Sequence, residues 1–234
     1  MKRKLPFYLC IYVLIFAVVI AFSAVINNSV TTFSEAVNIQ RLHTFVIDAG
    51  HGAPDGGAIS CTGVLESEIN LEIALRLNDL MHLLGMQTVM IRSNENSVYT
   101  DGESIASKKI SDLKQRIKIV EETDHAVLVS IHQNHFADER YSGAQVFFAS
   151  TDNSAELAKK MQERFRKTIN LTSKRQPKTA ENVYLMQHIK CTGILIECGF
   201  LSNHQEEYKL RDTVYQKQLA GIIATELSQY YYAP

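Results

Sequence analysis

The chain has 234 residues, of which 46% are hydrophobic and 21% charged, and its 24 Lys and Arg nearly balance 25 Asp and Glu. That apolar share excludes a disordered chain, and the length admits one large α/β domain or two small ones. The near-zero net charge, with no basic run after the first four residues, argues against nucleic acid as a partner.

Met1-Lys-Arg-Lys4 precedes an uncharged stretch from Leu5 to Ile26. Its length matches the roughly 20 residues that cross a bilayer and exceeds a usual signal-peptide core. The basic residues are expected to stay cytoplasmic, which exports everything after Ile26 to the outer face of the membrane. Ala21-Phe-Ser-Ala24 offers small residues for cleavage, so residues 1–26 read as a signal anchor or a signal peptide. A linker over 27–41 and one folded domain over 42–234 follow. Without Lys2, Arg3 and Lys4 the exported part keeps 21 basic against 25 acidic residues, so nothing pulls it onto an anionic surface. Cys10 lies in the apolar stretch. The remaining Cys61, Cys191 and Cys198 are odd in number and lack Cys-x-x-Cys spacing, which gives no disulfide framework and no thiolate metal site, with one optional bridge.

Phe45-Val-Ile-Asp-Ala-Gly-His-Gly52 reads as a buried strand ending in a glycine-bracketed turn that projects His51 from its carboxyl end. After the loop Gly52–Ala58, a helix is expected from about Glu66 to Leu84, with Ile69, Ile73, Leu77, Leu80 and Leu84 as its apolar stripe and Gly85 ending it. Glu66 suits the first turn of that helix through the dipole alone, as does Glu68, and it also suits a metal. Gln87–Ile91 predicts a second strand, followed by Arg92 and a polar loop through Lys109. A short amphipathic helix is expected over Ser111–Glu122. Ala126-Val-Leu-Val-Ser-Ile-His132 repeats the pattern of a strand ending in histidine. Asn134, on the same side of an extended chain as His132, could orient that ring. His135, His43, His82, His125, His188 and His204 read as solvated.

Gly143–Ala149 predicts a strand, Ser154–Ile169 a helix, and Leu171–Asn182 a loop that borders a groove. Gly193-Ile-Leu-Ile-Glu197 is an apolar run that ends in a carboxylate. Such a burial requires a charged neighbour, either an Arg or a metal site. A last helix carries Tyr215, Leu219, Ile222, Ile223, Leu227 and Tyr230 on its inner face. Strands alternate with helices, which predicts a single α/β domain with a largely parallel twisted sheet and helices on both faces. His51, His132 and Glu197 then share the carboxyl rim of the sheet, where ligands bind in such folds.

Asp48-Ala-Gly-His-Gly52, Glu66, Ser130-Ile-His-Gln-Asn134 and Ile196-Glu-Cys-Gly-Phe-Leu-Ser-Asn203 resemble the zinc-dependent N-acetylmuramoyl-L-alanine amidases of bacterial cell walls. The resemblance spans about Thr44 to Tyr232. It implies that His51, Glu66 and His132 hold Zn2+ and that Glu197 is the catalytic carboxylate. The substrate it implies is peptidoglycan, cut between the lactyl group of N-acetylmuramic acid and L-alanine. Ala49, Gln133 and Cys198 depart from the family's usual wording, and none replaces a ligand. Asp112-Leu-Lys-Gln-Arg116, Tyr141-Ser-Gly-Ala-Gln145 and Val183-Tyr-Leu-Met-Gln187 look like the germination-specific amidases of endospore formers. That narrower resemblance implies a role in muramic-δ-lactam formation in the cortex space of the developing spore. A carboxypeptidase using the same metal set, or a non-catalytic wall-binding or activating protein on this scaffold, is the alternative. No appended repeat binds wall by itself, so the domain reaches its substrate by tethering, by its own groove or through an activating or recruiting protein.

Overall fold

The structure, a computed structural model, describes residues 15–26 and 43–232. Residues 15–26 form a helix, α1, with exposed side chains. The basic start, Cys10, the rest of the expected membrane segment and the linker 27–41 lie outside the described residues. Among the described residues no helix is long and apolar enough to cross a membrane.

The unit from His43 onward is built on a six-stranded sheet in the order β2-β1-β3-β6-β4-β5. β1 (Thr44–Ala49), β2 (Gln87–Met90), β3 (Ala126–Asn134) and β6 (Thr192–Phe200) run parallel. β4 (Gln145–Phe148) is antiparallel to β6 and parallel to the two-residue β5 (Lys178–Thr179). The sheet is therefore mixed, and the expected parallel character holds for four strands.

Helices cover both faces, which is why the central strands are continuous apolar runs. α2 (Glu66–Leu83), α4 (Ser154–Thr168) and α7 (Thr213–Tyr232) pack against Phe45, Ile47, Val129, Ile131, Ile194 and Ile196. α3 (Ile105–Glu121) and α5 (Tyr184–His188) pack against the opposite face through Val46, Leu128 and Leu195. On α2 the buried stripe runs Ile69, Ile73, Leu77 and Met81, and Leu84, expected on it, is the exposed C-cap. Gly85, at φ +76°, ends the helix in the left-handed conformation that glycine tolerates best.

Three expectations need correction. α3 starts six residues earlier than expected, because Ser104 and Ser107 form a reciprocal capping box that nucleates a helix in a polar segment. β6 continues three residues past Glu197, since Gln145 of β4 pairs opposite it and the ladder to β3 resumes at Phe200 beyond a register shift. A short helix, α6 (His204–Leu210), precedes the last one, capped by the Asn203 side chain, which accepts from the Gln205 and Glu206 N–H groups. Cys61, Cys191 and Cys198 are free. Of the six histidines read as solvated, His43 is half-buried against Tyr231, with ring centroids 4.4 Å apart, and the other five are exposed.

Candidate metal centre

The chain leaves β1 through Gly50 and reaches His51 at φ +61°, a left-handed conformation that a non-glycine residue holds only when its surroundings impose it. Two buried arginines do so by binding three successive carbonyls. Arg92 donates to Ala49 O from Nε at 2.8 Å and to Gly50 O from Nη2 at 3.0 Å. Arg116 donates to Ala49 O from Nη1 at 3.0 Å and to His51 O from Nη2 at 2.6 Å.

Arg116 is itself fixed by Asp48 and, at 2.7 Å, by Asp112 one helical turn away. Asp48 also accepts from Ser130 Oγ at 2.5 Å. Burial alone raises the Asp48 carboxyl, but Arg116, His132 and the Ser130 hydroxyl outweigh it and hold the group below its ordinary range.

Glu66 begins α2, and its carboxylate is the hub of the site. Oε1 accepts from Asn70 Nδ2 at 3.2 Å and Gln133 N at 3.2 Å and lies 2.9 Å from His132 Nδ1. Oε2 accepts from Ala58 N at 3.0 Å and lies 3.2 Å from His51 Nε2. Burial works against the charge, but the hydrogen bonds to both histidines hold Glu66 far below the usual carboxylate range. Glu68, its competitor in the sequence, faces solvent.

The ligand-competent atoms of His51, Glu66 and His132 all lie within 4.8 Å of one another. Gly50 makes this approach possible, because a Cβ there would stand 2.2 Å from His132 Nε2. The far nitrogen of His51, Nδ1, donates to Asp55 Oδ2 at 3.0 Å, and Lys109 Nζ approaches the same oxygen at 2.8 Å. Burial pulls the His51 pKa down, yet Asp55 and Glu66 outweigh it and raise the pKa to about 9.

Glu197 stands opposite His132 in the β3–β6 ladder. Among the described residues its Oε2, shielded from solvent, has no hydrogen-bond partner, and no Arg pairs with the carboxylate. Burial pushes its carboxyl up to about 7, with His132 and His51 opposing the shift and Glu66 reinforcing it. Two imidazoles and one carboxylate are the donor set of an open zinc site, and the orphaned oxygen of a second carboxylate beside them suits a proton carrier.

Asn134 lies on β3 just past a register shift, and its carbonyl accepts from Leu201 N at 2.8 Å. Among the described residues no hydrogen bond joins the Asn134 side chain to the His132 ring; besides the two histidines, Glu66 is held by the Asn70 side chain and the Ala58 and Gln133 N–H groups. Sequence reasoning missed Asp55, Asn70, Arg92 and Arg116 as parts of the site. For Asp55 the available signal was a carboxylate four residues beyond His51 in a glycine-rich loop. For Arg116 it was an i,i+4 partner, Asp112, on a helix. For Asn70 it was likewise an i,i+4 partner, Glu66, on the expected helix. Nothing local marked Arg92.

Fold and site together define an α/β protein with a rim able to hold a divalent metal. A family profile described as N-acetylmuramoyl-L-alanine amidase matches residues 45–229. The germination-specific N-acetylmuramoyl-L-alanine amidase of Bacillus subtilis (strain 168) is 33% identical over 187 residues, covering 79% of this chain and 78% of that protein. Among solved structures, the CwlD amidase from Clostridioides difficile, in complex with the GerS lipoprotein, is 34% identical with a TM-score of 0.76, covering 80% of this chain and 98% of that one. The catalytic domain of CwlV, an N-acetylmuramoyl-L-alanine amidase from Bacillus (Paenibacillus) polymyxa var. colistinus, is 28% identical with a TM-score of 0.67, covering 80% and 97%. The chain belongs to the N-acetylmuramoyl-L-alanine amidase family. Its activity is hydrolysis of the N-acetylmuramoyl-L-alanine amide bond of peptidoglycan.

Proposed function

We propose that this amidase is zinc-dependent, with His51, Glu66 and His132 as ligands and Glu197 as its general base and acid. The observation that carries the reading is the convergence of those three side chains within 4.8 Å beside a carboxylate with an unpartnered oxygen. Zinc held by three protein ligands supplies Lewis acidity and water that ionises near neutral pH. Glu197, raised to about 7, is matched to accept the proton of the attacking water as it adds to the lactyl carbonyl. It then delivers that proton to the departing L-alanine nitrogen. Asp55 holds the His51 ring by its far nitrogen, and Asn70 and the Gln133 N–H hold the Glu66 carboxylate.

The likeness to the germination-specific amidase of Bacillus subtilis supports a role in spore-cortex maturation, where stripped muramic acid proceeds to muramic-δ-lactam and so permits germination. In this reading the protein is exported to the outer face of a membrane, anchored there by its amino-terminal stretch or released by cleavage. The complex of the Clostridioides difficile relative with a lipoprotein supports a partner protein that activates or recruits this chain too.

The test is digestion of peptidoglycan by the purified protein with and without added zinc, followed by mass spectrometry of the muropeptides. Zinc-stimulated separation of the peptide from muramic acid is the expected result. Loss of only a terminal D-alanine would reassign the protein to carboxypeptidases. Normal lactam content in cortex lacking the protein would remove the spore role.

A further inference from the structure

A groove of about 290 Å³ runs along the candidate centre, lined by His51 and His132, by Lys109 and Leu113 of α3, and by Tyr184 and Leu185 of α5. α3 presents Lys109, Asp112, Leu113 and Arg116 to it, a spacing that places all four on one helical face. Two of the lining residues carry permanent positive charge. Arg116 is buried and engaged by Asp48, Asp112 and two main-chain carbonyls. Lys109 differs, with a side chain 48% exposed and, among the described residues, Asp55 as its one carboxylate partner. An ammonium has three N–H donors, so two remain for a ligand, and a half-exposed ion pair yields readily to competition.

The scissile amide joins two chemically unlike halves. On one side stand N-acetylated sugars, which are neutral, and on the other a peptide that carries carboxylates. We propose that Lys109 is a specificity-determining residue that receives a carboxylate of the peptide, so that the groove between α3 and α5 takes the leaving peptide and not the glycan. This rests on the amidase reading above. The Asp55 contact holds the ammonium at the groove beside His51 before substrate arrives, which limits the side-chain entropy lost on binding.

The test uses the full chain with zinc and two muramoyl peptides amidated at their C-termini. One carries a free carboxylate on the residue after L-alanine, and the other a carboxamide there. Lys109→Met is expected to raise KM for the carboxylate substrate about fivefold, the loss of one half-exposed charge pair, with kcat unchanged and the carboxamide substrate unaffected. Lys109→Arg restores the parental KM. An equal rise in KM for both substrates, or a fall in kcat with loss of bound zinc, would overturn the proposal by showing that Lys109 acts only through Asp55 and His51. Hydrolysis of either substrate by the parent upholds the amidase reading by itself, so the two ideas fail separately.

Discussion

Arg116, on the buried face of α3, donates from Nη2 to the main-chain carbonyl of His51 at 2.6 Å, so a residue 65 positions away in sequence fixes the backbone of a proposed ligand. Removing one member of a buried charge network that also satisfies main-chain carbonyls costs about 3–5 kcal/mol. Arg116→Met is therefore expected to lower the free energy of unfolding in urea by that amount. Arg116→Lys should rescue little of it, because an ammonium cannot reach Asp48, Asp112 and two carbonyls at once. Full rescue by Lys would show that only the charge matters.

Gly50→Ala tests close approach in place of charge. A methyl at that position meets the His132 ring at 2.2 Å, so either the ring or the β1 terminus must move. The expected outcome is a folded protein that binds little zinc and has lost hydrolysis. Unchanged metal content by elemental analysis would mean that His132 has more freedom than its packing allows.

Asp55→Asn keeps the shape of the side chain that orients His51 and removes its charge. Partners of a metal-ligating histidine are worth about 10- to 100-fold in metal affinity, and a weakening of that size is expected in a chelator competition assay. Parental affinity would leave the 3.0 Å contact between His51 and Asp55 without a role in metal binding.

Glu197→Gln removes the proposed proton carrier and leaves the three proposed ligands in place. The variant should hold zinc at parental stoichiometry while kcat falls about 10²- to 10⁴-fold, the range for general acid–base catalysis. Turnover at the parental rate would assign the proton transfers elsewhere.

His51 sets a pH signature for the protein in chelator. Burial lowers its pKa, but Asp55 and Glu66 lift it from 6.5 to about 9, above the unfolded value. A raised folded-state pKa means that the charged ring contributes fully below the unfolded pKa and that the contribution is lost as pH climbs through 9. The gap in thermal midpoint between the parent and His51→Gln, both in chelator, should thus be widest near about pH 6 and shrink toward about pH 10. A gap that stays constant or widens would contradict the assignment of Asp55 and Glu66 as the partners that raise it.

Much of the rim was legible because His51 and His132 end apolar runs, and a run buried on both faces has to stop where its helices stop. Glu197 was legible as an anomaly, a carboxylate in an apolar strand, although its strand continues past it. What remained hidden is what depends on distance through space. Arg92 and Arg116 look like ordinary helix and loop cations until β1 is placed beside them. Asn70 lies one helical turn from Glu66 on α2, but Gln133 reaches the same carboxylate from β3, which only the folded chain brings beside it. The start of α3 was hidden for a local reason, because a box made of two serines replaces the more common glutamate partner. The reversal of β4 was not readable from its composition, since direction depends on how the preceding loop returns to the sheet.

The two arginines at the end of β1 bind main-chain oxygens that every residue possesses, so the curve of that turn belongs to the polypeptide and not to any ion seated in it. In the proposed reading, such a protein is made and stored in its final shape, and the arrival of a metal is an ignition step and not a last stage of assembly.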